Sequence, residues 1–466
     1  MLRREFLAAG TAALAASPSG RSFAYRGYLG WITDLATRPD PHAAWPSMRI
    51  DESLQKDYRE TFELIRQLGL QNLCVWGLYV SRAWPVDLTN SVAPGRARSV
   101  ETLISAAHAK GVRVLSGLGA YSWGFDEILR ANPHLMKGNS HAMCGSEEGS
   151  WDWMRKSIDF VFSRFPIDGV SMQSADQGRC RCDKCSRYTD TEYHARLDLR
   201  CATYIRSRWP RKIIGVSGWG MRFEDAAGIP HIAELGRHVD YIIDVPDSSR
   251  RGDPGLRKRL IAAVPCAFGT LGGPQVEPPQ HWARDRWFLP TIRTAAEHLE
   301  DLYGDGGRAC EWFYYILANP GCEITTWVVA KTLADPVTPW SNHLASSIER
   351  IYSVSKSQTR DALGEAFLAA ENAYIQYLPP RFCGTISLEP LVSSEPGPPV
   401  YLIKRLTAAQ RGAYSISMAS VRARFEKLIP DVPEKGAAGS PRERLRFILL
   451  ACDNVQKDLA AIAPNA

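Results

Sequence analysis

From Tyr25 to about Asp335 the chain alternates short apolar runs, polar loops and stretches of helical spacing. The apolar runs at 27–33, 72–77, 112–117, 169–173, 212–217, 239–244, 264–268 and 307–313 read as buried strands, each bounded by turn residues or by a helix. Between them lie helical stretches at 54–68, 99–110, 151–165, 190–209, 224–235, 256–263, 289–303 and 323–333. The first places Leu54, Tyr58, Phe62, Ile65 and Leu68 on one face. The second is capped by Ser99 and closed by Gly111. Eight strand–helix units over about 310 residues predict an α/β fold, a (β/α)8 TIM barrel. A doubly wound open sheet is the alternative, and its glycine-rich dinucleotide fingerprint does not follow the first strand.

Beyond Asp335-Pro336 the strand pattern fades. Residues 340–377 carry helical spacing through Leu344, Ile348, Ile351 and Tyr352, a Pro/Gly/Ser-rich stretch at 379–399 breaks it, and 406–428 and 441–462 are helical again. The expected organisation is an export signal at 1–24, a barrel at 25–335 and a helical C-terminal region at 336–466. Arg3-Arg4 precedes an Ala-rich apolar run, Phe6 to Ala16, as in a twin-arginine export signal, with a general secretory signal as the alternative. Ala13-Leu14-Ala15 and Ser22-Phe23-Ala24 are both small-x-Ala cleavage sites. No later apolar run approaches the roughly 20 residues that span a bilayer. The expectation is a periplasmic or secreted protein that meets the twin-arginine translocase during export and keeps no stable membrane anchor. A net charge of +6 on 466 residues is mild, and the Arg/Lys clusters at 206–212 and 250–259 read as solvated helix faces, so no nucleic-acid partner is expected.

Chemistry concentrates after the fourth strand, where Gln173 leads into Ser174-Ala175-Asp176 and then Cys180-x-Cys182-x-x-Cys185. Three thiols within six residues can converge on one ion, and zinc accepts thiolates tetrahedrally. The expected cofactor is one structural zinc ion on Cys180, Cys182 and Cys185, with Cys144, His194 or Cys201 as fourth ligand. A Cys182–Cys185 disulfide and an iron–sulfur cluster are the alternatives. Trp31, Trp76, Trp123, Trp219 and Trp312 fall at or just past strand ends, where flat aromatic faces suit sugar rings. Asp176 and Glu311 are the candidate catalytic pair, because glycoside hydrolysis needs two carboxyls roughly 5–10 Å apart. Asp176 is expected to act as general acid and Glu311 as base or nucleophile. Gln173, Asp244 and Asp247 are expected to hydrogen-bond sugar hydroxyls, and the expected partner is a carbohydrate substrate.

A strand ending in an acid followed by Cys-x-Cys-x-x-Cys resembles a group of exported glycoside-hydrolase-like barrel proteins that sit near the α-glucuronidase and hexosaminidase barrels. The resemblance spans roughly 25–335 and rests on 169–185. It implies carbohydrate binding or cleavage at the strand ends. The chain departs from the common glycosidase patterns: Gln173-Ser174 stands where many have Asn-Glu, Phe268-Gly269 where many have Glu, and Asp176-Gln177 where hexosaminidase-like barrels pair Asp with Glu. A barrel that binds glycans without cleaving them, and a metal or redox protein using the cysteines directly, are the rival readings.

Overall fold

The computed structural model describes residues 21–31, 52–78, 94–139, 141–175, 177–245, 249, 253, 255–272, 288, 290–313, 320–377 and 406–462. Eight parallel strands close into a barrel in sequence order, each pairing with the next and the last with the first. They are β1 (Tyr25–Trp31), β2 (Asn72–Trp76), β3 (Arg113–Gly119), β4 (Gly169–Gln173), β5 (Ile213–Ser217), β6 (Tyr241–Asp244), β7 (Ala267–Gly272) and β8 (Ala309–Phe313). The (β/α)8 architecture expected from the alternation is therefore the one adopted.

Several element boundaries differ from those expected. The seventh strand begins at Ala267 rather than 264, since Val264 closes the preceding helix (Leu256–Ala263). It continues through Gly269 because a Cβ there would lie 1.9 Å from the carbonyl oxygen of Ala309 on the neighbouring strand. The 99–110 helix starts earlier, at Pro94, consistent with proline's fixed φ in a first turn. The long connection after β3 contains a short helix (Asp126–Ala131) and a 3-10 turn (Pro133–Leu135) before the helix Glu148–Arg164.

Strand register fixes which side chains fill the barrel. Gly27, Asn72, Ser171, Tyr241 and Glu311 share the inward face, while Trp312, one residue on from Glu311, turns to the outer face against Gly272. Tryptophan at 76 reaches inward over β3, where Gly117 gives it room: a Cβ at 117 would meet the indole at 2.3 Å.

The helices after residue 335 pack on the same body. Phe367, Phe425, Tyr352 and Phe288 form one aromatic cluster, with Phe367 and Phe425 centroids 4.9 Å apart. Glu371, on the helix Ser357–Tyr377, accepts the backbone N–H groups of Arg293 and Thr294 at 2.9 and 2.8 Å. It thereby places a carboxylate at the positive N-terminal end of the barrel helix Ile292–Gly304. Arg444 forks onto buried Glu323 at 2.7 and 3.2 Å, joining the helix Pro441–Ile462 to the helix Glu323–Ala334. No described helix is long and apolar enough to cross a membrane.

Candidate functional site at the C-terminal face of the barrel

The loop after β4 is built around the cysteines. Gly178 takes φ +79°, and Arg179 then folds back beneath the loop. Its guanidinium donates to the carbonyls of Cys185 and Tyr188 and to Asp190 Oδ1, and it stacks 4.4 Å over the Tyr193 ring. A second loop approaches from the β3 side. Cys180 Sγ donates to the Lys137 carbonyl, Asn139 Nδ2 donates to the Gln177 carbonyl at 2.9 Å, and Gly138 (φ +81°) leaves space for residues 181–182.

This second loop delivers Cys144. The Sγ atoms of Cys144, Cys180, Cys182 and Cys185 all lie within 4.8 Å of one another. Cys144 Sγ is 3.7 Å from Cys182 Sγ and 3.8 Å from Cys185 Sγ. Four sulfurs about 2.3 Å from a central zinc have tetrahedral edges of about 3.8 Å, so the set fits one tetrahedral ion. Sulfurs that each ligate a different iron of a cluster would stand further apart. Of the three fourth-ligand candidates, the structure selects Cys144. His194 faces Ser174 instead, and Cys201 is fully buried beside Asp198. The described cysteines are all free thiols, with no Cys182–Cys185 disulfide. The adjacent Cys180 thiol holds Cys144 below the ordinary thiol range, while the Cys144 sulfur and burial push Cys180 up. Four packed thiols cannot all ionise without a cation among them.

Glu311 lies mid-strand, one inward layer below the strand ends. Tyr241 Oη donates to its Oε1 at 2.5 Å and Ser171 Oγ to its Oε2 at 3.4 Å. Burial, only partly offset by these donors, pushes its pKa from 4.5 up to about 7. Trp76 and Trp123 meet edge to face with centroids 5.2 Å apart and are almost wholly buried. The turn that carries Trp123 is strained: Tyr121 and Trp123 have φ of 61° and 41°, and Ser122 Oγ accepts the backbone N–H of Gln177 at 2.8 Å. Such outliers recur at functional sites.

The other expected site residues fall as follows. Trp31 ends β1 in register with Trp76, and its side chain lies outside the described residues. Gln173 ends β4, half-buried, with its carbonyl accepting the Ala120 N–H. Trp219 is half-buried after β5. Trp312 is 1 % exposed on the outer face, away from Glu311. Asp244 is buried, and its Oδ2 accepts the Ser249 N–H at 2.8 Å, tying Ser249 to the end of β6. Asp176 and Asp247 lie outside the described residues, as does the Arg3-Arg4 segment.

Sequence reasoning missed the partners. Tyr241 and Ser171 are the groups that hold Glu311, and strand alternation around Glu311 was the available signal. A second buried chain also went unread: Ser174 Oγ donates to Asp198 Oδ2 at 2.9 Å and lies 3.1 Å from His194 Nδ1. Burial raises Asp198 to about 8 and lowers His194 to about 4, so at neutral pH this chain is largely uncharged. Ser174 follows β4 directly while both partners sit on the helix Asp190–Arg208, so the chain pins the start of the cysteine loop to that helix.

No family model and no curated protein matches the chain. Among solved structures it is similar to a GH138 enzyme targeting pectin rhamnogalacturonan II, with a TM-score of 0.60 and 10 % identity over 95 % of this chain and 71 % of that one. At that identity the likeness is one of fold.

Proposed function

We propose that the protein is a glycoside hydrolase acting on an oligosaccharide or polysaccharide at the C-terminal face of the barrel. The observation that carries the reading is Glu311, a carboxyl held by burial at a pKa of about 7 beneath an aromatic pair at the strand ends. Such a group can hold a proton at neutral pH and give it up, which is the task of an acid catalyst. Asp176 is proposed as its partner. The raised Glu311 suits the proton-donating role better than the base or nucleophile role expected of it, so the roles are proposed exchanged. The pectin-targeting activity of the structural neighbour makes pectic glycans the first substrates to try.

The four thiolates are proposed to hold one zinc ion of structural purpose, joining the loops after β3 and β4. Export by the twin-arginine route is proposed with processing at Ala13-Leu14-Ala15. Cleavage after Ala24 would remove Phe23, which is fully buried 5.7 Å from Tyr303.

Turnover of a glycan library tests the reading. Asp176→Asn and Glu311→Gln should each lower cleavage by roughly 10²–10⁴-fold, the range for losing acid–base assistance. An activated leaving group should rescue whichever variant has lost the acid. Cleavage retained by both variants would move the catalytic pair elsewhere. The non-catalytic, glycan-binding barrel is favoured by one observation: Glu311 is only 3 % exposed. Wild type that binds glycans and cleaves none would establish that reading.

A further inference from the structure

On the outer side of the cysteine loop lies a half-open cavity of about 520 Å³. Its walls come from the loop at Gly145–Ser146, the short helix Asp183–Ser186 with Arg187 and Tyr188 after it, and the outer face of the helix Asp190–Arg208. Lys184, Arg187, Arg196 and Arg200 line it, and no carboxylate does. Two acids stand near its edge: Glu148 pairs with Arg200 at 2.9 Å, and Glu192 lies 3.8 Å from Arg196. Four cations against two carboxylates leave two in excess, beside a thiolate centre that would carry two negative charges with one zinc ion bound and whose Cys185 lines the cavity wall. Lys184 and Arg187 have no carboxylate partner among the described residues, and neither hydrogen-bonds a cysteine sulfur.

The guanidiniums are oriented as well as gathered. Those of Arg187 and Arg196 lie 5.3 and 4.7 Å from the Tyr188 ring centroid, and that of Arg200 lies 4.5 Å from the Trp151 centroid. A guanidinium held over an aromatic ring keeps in-plane N–H donors free for an oxyanion. The volume falls in the range of small-ligand sites and is confined, unlike the basic stripe that follows a nucleic-acid backbone.

We infer that this cavity binds a small ligand of about disaccharide size carrying two oxyanion groups, carboxylates or sulfates. Tyr188 and Ser146 supply polar contacts at its walls. The site lies outside the barrel and asks nothing of Glu311 or Asp176.

The test is calorimetric titration of the full, metal-loaded chain with digalacturonate, a disulfated disaccharide, a neutral disaccharide and inorganic sulfate. The two dianionic sugars should bind at least tenfold more tightly than sulfate or the neutral sugar, with affinity falling as salt rises. Arg187→Ala with Arg196→Ala should abolish that preference while bound metal stays unchanged. Arg187→Lys, which keeps the charge and the fold but loses the flat fork, should weaken binding by roughly tenfold. Equal affinity for sulfate and the dianionic sugars overturns the proposal. So does a double variant that sheds metal yet binds as wild type, because the cations would then serve the thiolates. Binding is read directly, so the result is independent of whether the barrel cleaves glycans.

Discussion

Replacing Glu311 by Gln should make the protein more stable above neutral pH while leaving it nearly unchanged in acid. In the folded protein the carboxyl titrates at about 7 instead of 4.5, and burial is the largest cause. The native state therefore holds a proton that the unfolded chain releases between these values. Stability from this group is fully present below about 4.5 and is lost as pH rises through about 7. At about 1.4 kcal/mol per tenfold change in proton affinity, the loss is on the order of 3 kcal/mol. Glutamine has the same shape and no charge: its carbonyl can accept from Tyr241 and its amide can donate to Ser171 Oγ, so both bonds keep a counterpart. The assay is denaturant unfolding of both proteins at pH 4.5, 6, 7 and 8.5. The curves should coincide at the lowest pH and separate progressively, the variant being the more stable. A constant offset across the series would refute the assignment of a buried, proton-holding carboxyl. If Glu311 is also catalytic, the same variant should lose turnover, a gain in stability at the expense of activity.

Cys144→Ser should bring bound zinc from about one per chain to nearly none and lower the melting temperature, as read by elemental analysis and calorimetry; an unchanged metal content would show that Cys144 is not a ligand. Arg444→Met should destabilise by about 3–5 kcal/mol by leaving Glu323 buried without its partner, and Glu323→Leu in the same chain should recover part of that loss. Unfolding of the single and double variants measures the coupling. Arg3→Lys with Arg4→Lys should leave unprocessed precursor inside the cell while a general secretory control is exported, and normal export of the double variant would exclude the twin-arginine route.

The barrel was legible because its signal is periodic and repeated. Each strand is a short apolar run and each helix an amphipathic stretch, so an error of a few residues in one unit leaves the count of eight intact. What blurred the end of the seventh strand was glycine. Gly269 looks like the end of a strand, yet it continues one because the neighbouring backbone at Ala309 comes too close for a side chain. The cysteine trio was legible from spacing alone. Cys144 was not separable from His194 and Cys201, because which of them reaches the trio depends on the path of the 132–147 loop, and that path carries no period. Depth along a strand was hidden too. Glu311 and Trp312 are neighbours in sequence, but alternation sends one into the barrel and the other to the outer face. An acid beside a tryptophan at a strand end thus reads as a single feature when the two occupy opposite sides of the sheet.

The cysteine centre and the strained turn act on the same pair of loops, which would give a metal bound there a consequence beyond stability. Tyr121 and Trp123 hold left-handed backbone that costs about 1–3 kcal/mol at each position and persists only where surrounding contacts demand it. Those contacts come from both loops: the Met143 N–H donates to the Tyr121 carbonyl, and the Gln177 N–H donates to Ser122 Oγ. Met143 directly precedes one thiol of the centre, and Gln177 stands three residues before another. Without the proposed ion the two loops would be joined only by hydrogen bonds such as Asn139 Nδ2 to the Gln177 carbonyl, and both contacts to the turn would be weakened at once. The turn could then relax, carrying Trp123 away from Trp76 and opening the aromatic pair above Glu311. A site far from the proposed reacting atoms would in this way set the packing beneath the proposed sugar site, as supporting groups around metal and catalytic sites commonly do. Stripping zinc should therefore change the near-ultraviolet signal of the Trp76–Trp123 pair before the barrel unfolds. If that signal changes only with global unfolding, the centre is a staple for stability alone.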